Sequence, residues 1–501
     1  MSSEGNGKRC RRRSRPRTRS TPPTRRPRHS HRHRTLLAAA LASTVVAALT
    51  ATAASPNSHA PSGSSQARQV TGTLPDGATY VMDVPADWNG TVLLFSHGLV
   101  VEVPGDQPNP ARNAPGWGRT KDRLLAEGYA LIGSSYVSPG WVVDTAVDDQ
   151  LATLRIFQEL FGPARRSLAW GESLGGMITT KLAETHGEAI DGSLSLCGTQ
   201  AGGVARWNNQ LDLAFALRTL LTPDADTPLT GFADRAEADA SATALKSATR
   251  QAQDTAAGRA RIALAAALAG VAGYNSPSQQ RPGPHDWAVM EANQYAAISA
   301  TLLSSTTQWR QDAESHAGGS MSWNTGVDYA AMLARSPYED EAKALYKAAG
   351  LSLTRELAAL NAAPRIPADA PAIDFMARTA SFSGNLTKPQ LNVHNVHDGL
   401  VPVQNQHAYR ETVRRAGTTE HLRQAYIARA GHCNFTEDEA LTAVRTLNAR
   451  VASGSWGDTS ARALNESAAA HGATTETAYV EYGPPGFPRP YDLAGKRADR
   501  P

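Results

Sequence analysis

Residues 167–187, SLAWGESLGGMITTKLAETHG, join a short apolar run to a helix-like run through a G-x-S-x-G pentapeptide centred on Ser173. A serine on a sharp strand-to-helix turn must take a strained backbone conformation, and a Cβ on either flank would collide with the neighbouring strand and helix. Gly171 and Gly175 supply those flanks. Five residues of this pattern recur by chance; the signal lies in their position directly behind a strand run and ahead of a helix. The helix N-terminus behind Ser173 also favours negative charge developing beside it.

The same alternation continues on both sides. Residues 91–95 (TVLLF), 129–132 (YALI), 192–197 (GSLSLC), 390–396 (QLNVHNV) and 422–427 (LRQAYI) read as short buried strands. Residues 121–127 and 146–160 have helical potential, the second with Val147, Leu151, Leu154 and Ile156 spaced for one helix face. Strands apolar throughout, alternating with helices, predict a parallel sheet covered on both faces, an α/β fold. Upstream, residues 69–84 hold two alternating runs joined by Pro75-Asp76-Gly77, a hairpin signal. A last helix is expected over 437–451.

Between the strand runs at 192–197 and 390–396 the pattern stops. Residues 202–373 lack strand runs and carry Ala and Leu at helical spacing, as in 210–221, 260–272, 286–303 and 339–361. A block that enters and leaves between two strands of one sheet is an inserted helical cap, with a separate helical domain as the alternative. The expected core is then 69–201 and 374–453. Residues 454–501 are Pro-rich and polar and are expected to be an irregular surface tail.

The N-terminus distorts the charge balance. The chain's formal charge is +4, but the first 34 of its 501 residues hold 13 Lys or Arg against the single acid Glu4. The remainder has 37 basic and 45 acidic side chains, which offers no footprint for nucleic acid. Residues 1–54 read as a basic leader and signal peptide cleaved near Ala53-Ala54, and 55–68 as a Ser/Pro-rich linker. The apolar part of 35–54 is short and Ala/Thr-rich for a stable membrane span, so a secreted mature form is expected. The alternatives are an uncleaved anchor, an N-terminus assigned too far upstream, or an Arg-rich nucleic-acid tail. Arg25 and Arg26 leave the export route open between the general and twin-arginine pathways.

A serine hydroxyl is a weak nucleophile without a base, so a histidine and a carboxylate must follow. Asp398, in HDGLVP behind the run 390–396, stands in a loop at the carboxyl end of its strand. His432, in GHCNF behind the run 422–427, stands at the equivalent place in the next. Catalytic groups of open parallel sheets gather at that edge. His394, His397 and His407 compete for the base and Asp374 and Asp144 for the acid, but none has the matching context. Glu172 reads as a supporting or solvated residue. His97 reads as support for the loop behind 91–95.

In this order of serine, acid and histidine, with HDGLVPV and AGHCNF as the acid and histidine loops, the chain resembles the α/β-hydrolase superfamily over about residues 69–200 and 374–453. The resemblance implies that Ser96-His97-Gly98-Leu99 is an oxyanion loop, with the N–H groups of Leu99 and Leu174 as donors. It also implies that Cys197 and Cys433 lie at the same sheet edge, where they form either a disulfide or two free thiols. There is no H-E-x-x-H, no Cys-x-x-Cys pair and no G-x-G-x-x-G behind a strand, and His29, His31 and His33 fall in the leader. No metal or cofactor is expected.

GESLGG looks like the elbow of esterases and lipases, so the expected activity is hydrolysis of carboxylic esters, small or oligomeric, through an acyl-enzyme. A serine peptidase resembling aminopeptidases, an acyltransferase, and a silent hydrolase fold used for binding are the alternatives. Trp207, Trp287, Trp309 and Trp323 either wall an apolar pocket or form the cap's own core. The sequence leaves the oligomeric state open.

Overall fold

The computed structural model describes residues 67–101 and 119–493. The leader and signal-peptide readings, and nearly all of the linker, lie outside them. Among the described residues nine strands form one sheet: β1 Arg68–Thr73, β2 Thr79–Val84, β3 Thr91–Ser96, β4 Ala130–Ser134, β5 Arg166–Glu172, β6 Gly192–Leu196, β7 Gln390–His397, β8 Leu422–Ala430 and β9 Tyr479–Val480. Their spatial order is β1-β2-β4-β3-β5-β6-β7-β8-β9. The six strands from β4 to β8 run parallel, while β2 pairs antiparallel with β4, β1 antiparallel with β2, and β9 antiparallel with β8 at the other edge. This is the expected α/β class. The 75–77 turn closes the β1–β2 hairpin, with Gly77 at a φ of 100° and the Asp76 carboxylate accepting the Ala78 N–H at 3.0 Å.

Both faces of the sheet are covered, which explains why β3 and β4 are buried along their whole length rather than at alternate residues. From β3, Val92 and Leu94 enter one core with helices α2 (Val143–Phe161) and α3 (Leu174–Thr185), while Leu93 and Phe95 enter another with Leu124 of helix α1 (Thr120–Ala126) and Leu441, Val444 and Leu447 of the helix Glu437–Ser453. Each such fully buried side chain stabilises the fold by about 1.5–3 kcal/mol, so a polar residue on either face of these strands would be costly.

The cap enters after β6 and leaves before β7. Its helices include α4 (Gly203–Leu221), Arg235–Ala252, Ala256–Ala269, Trp287–Ala297, Glu339–Ala348, Leu353–Ala362 and Ala370–Ala380, around a core containing Leu211, Phe215, Leu264, Leu268, Tyr329 and Tyr346. Three details differ from the helical spacing read in the sequence. The 339–361 stretch is two helices, broken by Gly350 at a φ of 68° and restarted by Ser352, whose hydroxyl accepts the Arg355 N–H. Past Ala297 the backbone widens into π turns over Ile298–Leu302 and Ser305–Trp309. Arg235–Ala252 was not among the helices expected; its N-cap is Asp234, which accepts the Glu237 N–H.

The tail is not irregular as expected. It holds the helix Ala461–Ala470 and the edge strand β9, whose buried Tyr479 donates its hydroxyl to the Glu439 carbonyl at 2.7 Å. Further on, Arg489 reaches Asp212 of α4 at 2.8 Å and the Trp323 carbonyl at 2.8 Å. Polar composition hid this because the partners of these side chains come from β8, the cap and the helix at 437–453, far away in sequence. No helix among the described residues is long and apolar enough to cross a membrane.

Candidate active site

From β3 the chain crosses to β4 on one side, then returns to place β5 on the other. The loops after β3 and β5 therefore diverge, opening a crevice at the carboxyl ends of these strands. Ser173 follows β5 at once, with a φ of 54°, and its N–H donates to the Leu196 carbonyl at 3.0 Å. A Cβ on Gly171 would stand 2.7 Å from the Ser96 carbonyl oxygen and still closer to that of Gly175; one on Gly175 would overlap the Ser96 carbonyl outright. No larger residue fits either place, which is why this turn can press against β3.

The structure brings Asp398 and His432 to the same crevice. His432 Nε2 lies 2.8 Å from Ser173 Oγ, and His432 Nδ1 lies 2.7 Å from Asp398 Oδ2. The other Asp398 oxygen accepts the N–H groups of Leu400 at 2.9 Å and Val401 at 2.8 Å, and its side chain is wholly buried. Gly431, at a φ of 107°, donates to the His397 carbonyl at 3.0 Å and ties the histidine loop to the acid loop.

The chain has the α/β-hydrolase fold. An o-phthalyl amidase from Xanthobacter agilis is 28% identical to it over 435 residues, covering 82% of this chain and 93% of that protein. Feruloyl esterase B from Aspergillus oryzae superposes with a TM-score of 0.37 at 14% identity, covering 78% of this chain and 81% of that one. An esterase from Pyrococcus furiosus does so with a TM-score of 0.35 at 10% identity, covering 78% and 92%. No protein-family model matches the chain.

The competing residues of this hydrolase fold stand elsewhere or play supporting parts. His394 is buried in β7, with Nε2 2.8 Å from the Val401 carbonyl and 3.7 Å from Asp398 Oδ2, so it buttresses the acid loop. His397 packs edge-on against Tyr274, and Asp144 faces His316 at 3.8 Å. His407 lies in the helix Gln404–Ala416 and Asp374 in the helix Ala370–Ala380, and neither lines the cleft over the serine. His97 is buried, stacked on Tyr136, with its ring nitrogens facing the carbonyls of Gly98 at 2.7 Å and Ser135 at 3.2 Å. It thereby shapes the loop that carries Leu99.

Cys197 and Cys433 form a disulfide with a Cα–Cα distance of 5.3 Å. It ties the end of β6 to the histidine loop, and Cys433 Sγ lies 3.4 Å from His432 Nε2. These two cysteines and His432 make the His/Cys group close enough to hold a metal ion among the described residues, but both sulfurs are spent in the bridge. The bridge spans 236 residues, and reduction is expected to destabilise the fold by about 2–5 kcal/mol. Thermal melts with and without reductant check this; unchanged melting would show that the bridge constrains nothing.

A cleft of about 330 Å³ opens over Ser173, lined by Gly98, Leu99, Trp141, Glu172, Leu174, Arg206, Trp309, Leu400 and His432 among others. A second, of about 360 Å³ and lined by polar residues of the cap such as Asn275, Ser278 and Gln279, shares Leu400 and His432 with it. Of the four cap tryptophans read from the sequence, Trp309 lines the cleft. Trp207 is buried with its ring 5.2 Å from Trp141, Trp323 is buried in the core, and Trp287 packs against His285. Sequence reading missed Trp141 and Arg206, since neither sits in a motif; each reaches the cleft through the packing of α4 and the start of α2.

Burial pushes the Glu172 carboxyl up to about 7, against the pull of His432. The folded protein thus holds a proton that the unfolded chain releases near its ordinary value of 4.5. Stability falls as pH rises from about 4.5 to about 7, by on the order of 3 kcal/mol from this group. Glu172→Gln is expected to melt above the wild type at about pH 8 and level with it at about pH 5. Melts across that range test it; parallel curves for the two proteins would refute it.

Proposed function

We propose that the chain is a secreted serine hydrolase that cleaves carboxylic esters through an acyl-enzyme. The observation that carries this reading is the continuous relay from Ser173 Oγ through His432 to Asp398 at the floor of an open cleft. Ser173 attacks the acyl carbon while His432 Nε2 takes its proton. Asp398 keeps the other imidazole proton on Nδ1 and stabilises the imidazolium. The N–H groups of Leu99 and Leu174 hold the oxyanion, the second at the first turn of α3 where the helix dipole adds to it. The imidazolium then protonates the leaving oxygen, and water repeats the sequence to free the acid. The basic leader and the disulfide support export.

One observation favours a second reading, cleavage of an acyl–nitrogen bond: the 28% identical relative, matched over 93% of its length, is an amidase. The relay serves both, with protonation of the leaving nitrogen then more demanding. Labelling with a fluorophosphonate, followed by 4-nitrophenyl esters and 4-nitroanilides of one acyl group, tests the proposal. Labelling at Ser173 with faster ester turnover is the expected result. Faster anilide turnover favours the amidase, and a folded protein that neither labels nor turns over is a binding module.

A further inference from the structure

The relay leaves one cation in the cleft unused. Arg206 lies in the first turns of α4, is 8% exposed, and lines the same cleft as Ser173. A buried charge is normally paired, because removing it from water is costly. Arg206 has no such partner among the described residues. Its Nη2 donates to Ser305 Oγ at 3.1 Å, and its guanidinium lies 5.4 Å from the Trp207 ring centroid. The carboxylate that pulls on it is Asp398, whose two oxygens are already engaged by His432, Leu400 and Val401. Burial draws Arg206 down to about 10, which still leaves it a cation at neutral pH. A guanidinium offers five N–H donors in a planar fork, and among the described residues this one makes a single hydrogen bond, to Ser305.

From this we infer that Arg206 pairs with a carboxylate of the substrate, so that the cleft selects acyl compounds bearing a second, free carboxylate near the scissile bond. The inference rests on the serine-hydrolase reading for the identity of the reacting bond. A planar carboxylate matches the fork with two parallel hydrogen bonds. Arg206 is the sole Lys or Arg among the described residues lining the cleft, which suits a monoanion; a phosphate would call for further cations or donors. The carboxylate can belong to the acyl group or to the leaving group, since two clefts meet at His432.

Two ester pairs separate these sources. The acyl-side pair is the 4-nitrophenyl benzoates with a 3-carboxylate or its neutral 3-carboxamide. The leaving-side pair is the phenyl benzoates with the same groups on the phenol. The full mature chain is expected to prefer the carboxylate by about tenfold or more in kcat/KM in one pair, carried by KM, as a desolvated charge pair requires. That ratio should fall to about one in Arg206→Gln and be partly kept in Arg206→Lys. A ratio near one in both pairs for the wild type, or one undiminished in Arg206→Gln, overturns the assignment. Calorimetry on Ser173→Ala with the same esters needs no turnover and no folded Arg206 variant. Carboxylate binding tighter by that margin supports Arg206 even if the hydrolase reading fails, and equal binding of the carboxamide refutes it.

Discussion

Ser173→Ala is expected to lower kcat by at least about 10⁴-fold while the protein folds as before. The hydroxyl is the group placed 2.8 Å from His432 Nε2, and no other hydroxyl is paired with that nitrogen among the described residues. Although Ser173 stands at the N-cap of α3, its side chain makes no capping hydrogen bond. Its loss therefore removes no helix cap, and stability should change by less than about 1 kcal/mol. KM for an ester should change little, because the cleft walls remain and only the attacking atom is gone. Stopped-flow assays of the 4-nitrophenol burst, paired with thermal melts, check both halves. A variant that keeps more than about one-hundredth of the wild-type rate, with its fold intact, would show that another group attacks.

Asp398→Asn should cost nearly as much, about 10⁴-fold in kcat, for a reason particular to this loop. One carboxylate oxygen accepts the N–H groups of Leu400 and Val401, a place that an amide NH₂ cannot fill. The asparagine must therefore turn its carbonyl oxygen there and point its NH₂ at His432 Nδ1. Nδ1 then accepts, the ring proton moves to Nε2, and Nε2 donates to Ser173 Oγ instead of taking its proton. Binding should be spared, since Asp398 is buried behind the histidine and does not line the cleft. Steady-state kinetics with ¹⁵N histidine spectra check both the rate and the tautomer. A rate within about tenfold of wild type, or an unchanged tautomer, would remove Asp398 from the relay.

Much of the site was legible because its signals are local. Gly171, Ser173 and Gly175 announce a tight turn by size alone, and the glycine contacts with Ser96 give the reason. The carboxylate and the histidine each follow a strand run directly, so their place at the sheet edge comes from chain connectivity. That the loop after β3 reaches the same cleft, through Gly98 and Leu99, was legible in the same way. Arg206 was not. In the sequence it is one more helical residue beside Trp207, and its burial without an acidic partner emerges only when α4 is laid against the crevice.

Sequence by itself determined the strands β1 to β8 and most of the helices between them in the sheet core, and their order: apolar runs of strand length, helical periodicity between them, turn residues at the joints, and serine before acid before histidine. Tertiary structure decided the strand order that sets β3 between β4 and β5, the pairing of β9 with β8, the closure of the disulfide and the exposure of one arginine fork to the cleft. The physical reason is range. Periodicity and turn chemistry act over a few residues, whereas pairing and packing depend on side chains that meet across hundreds of residues and leave no pattern in either partner alone.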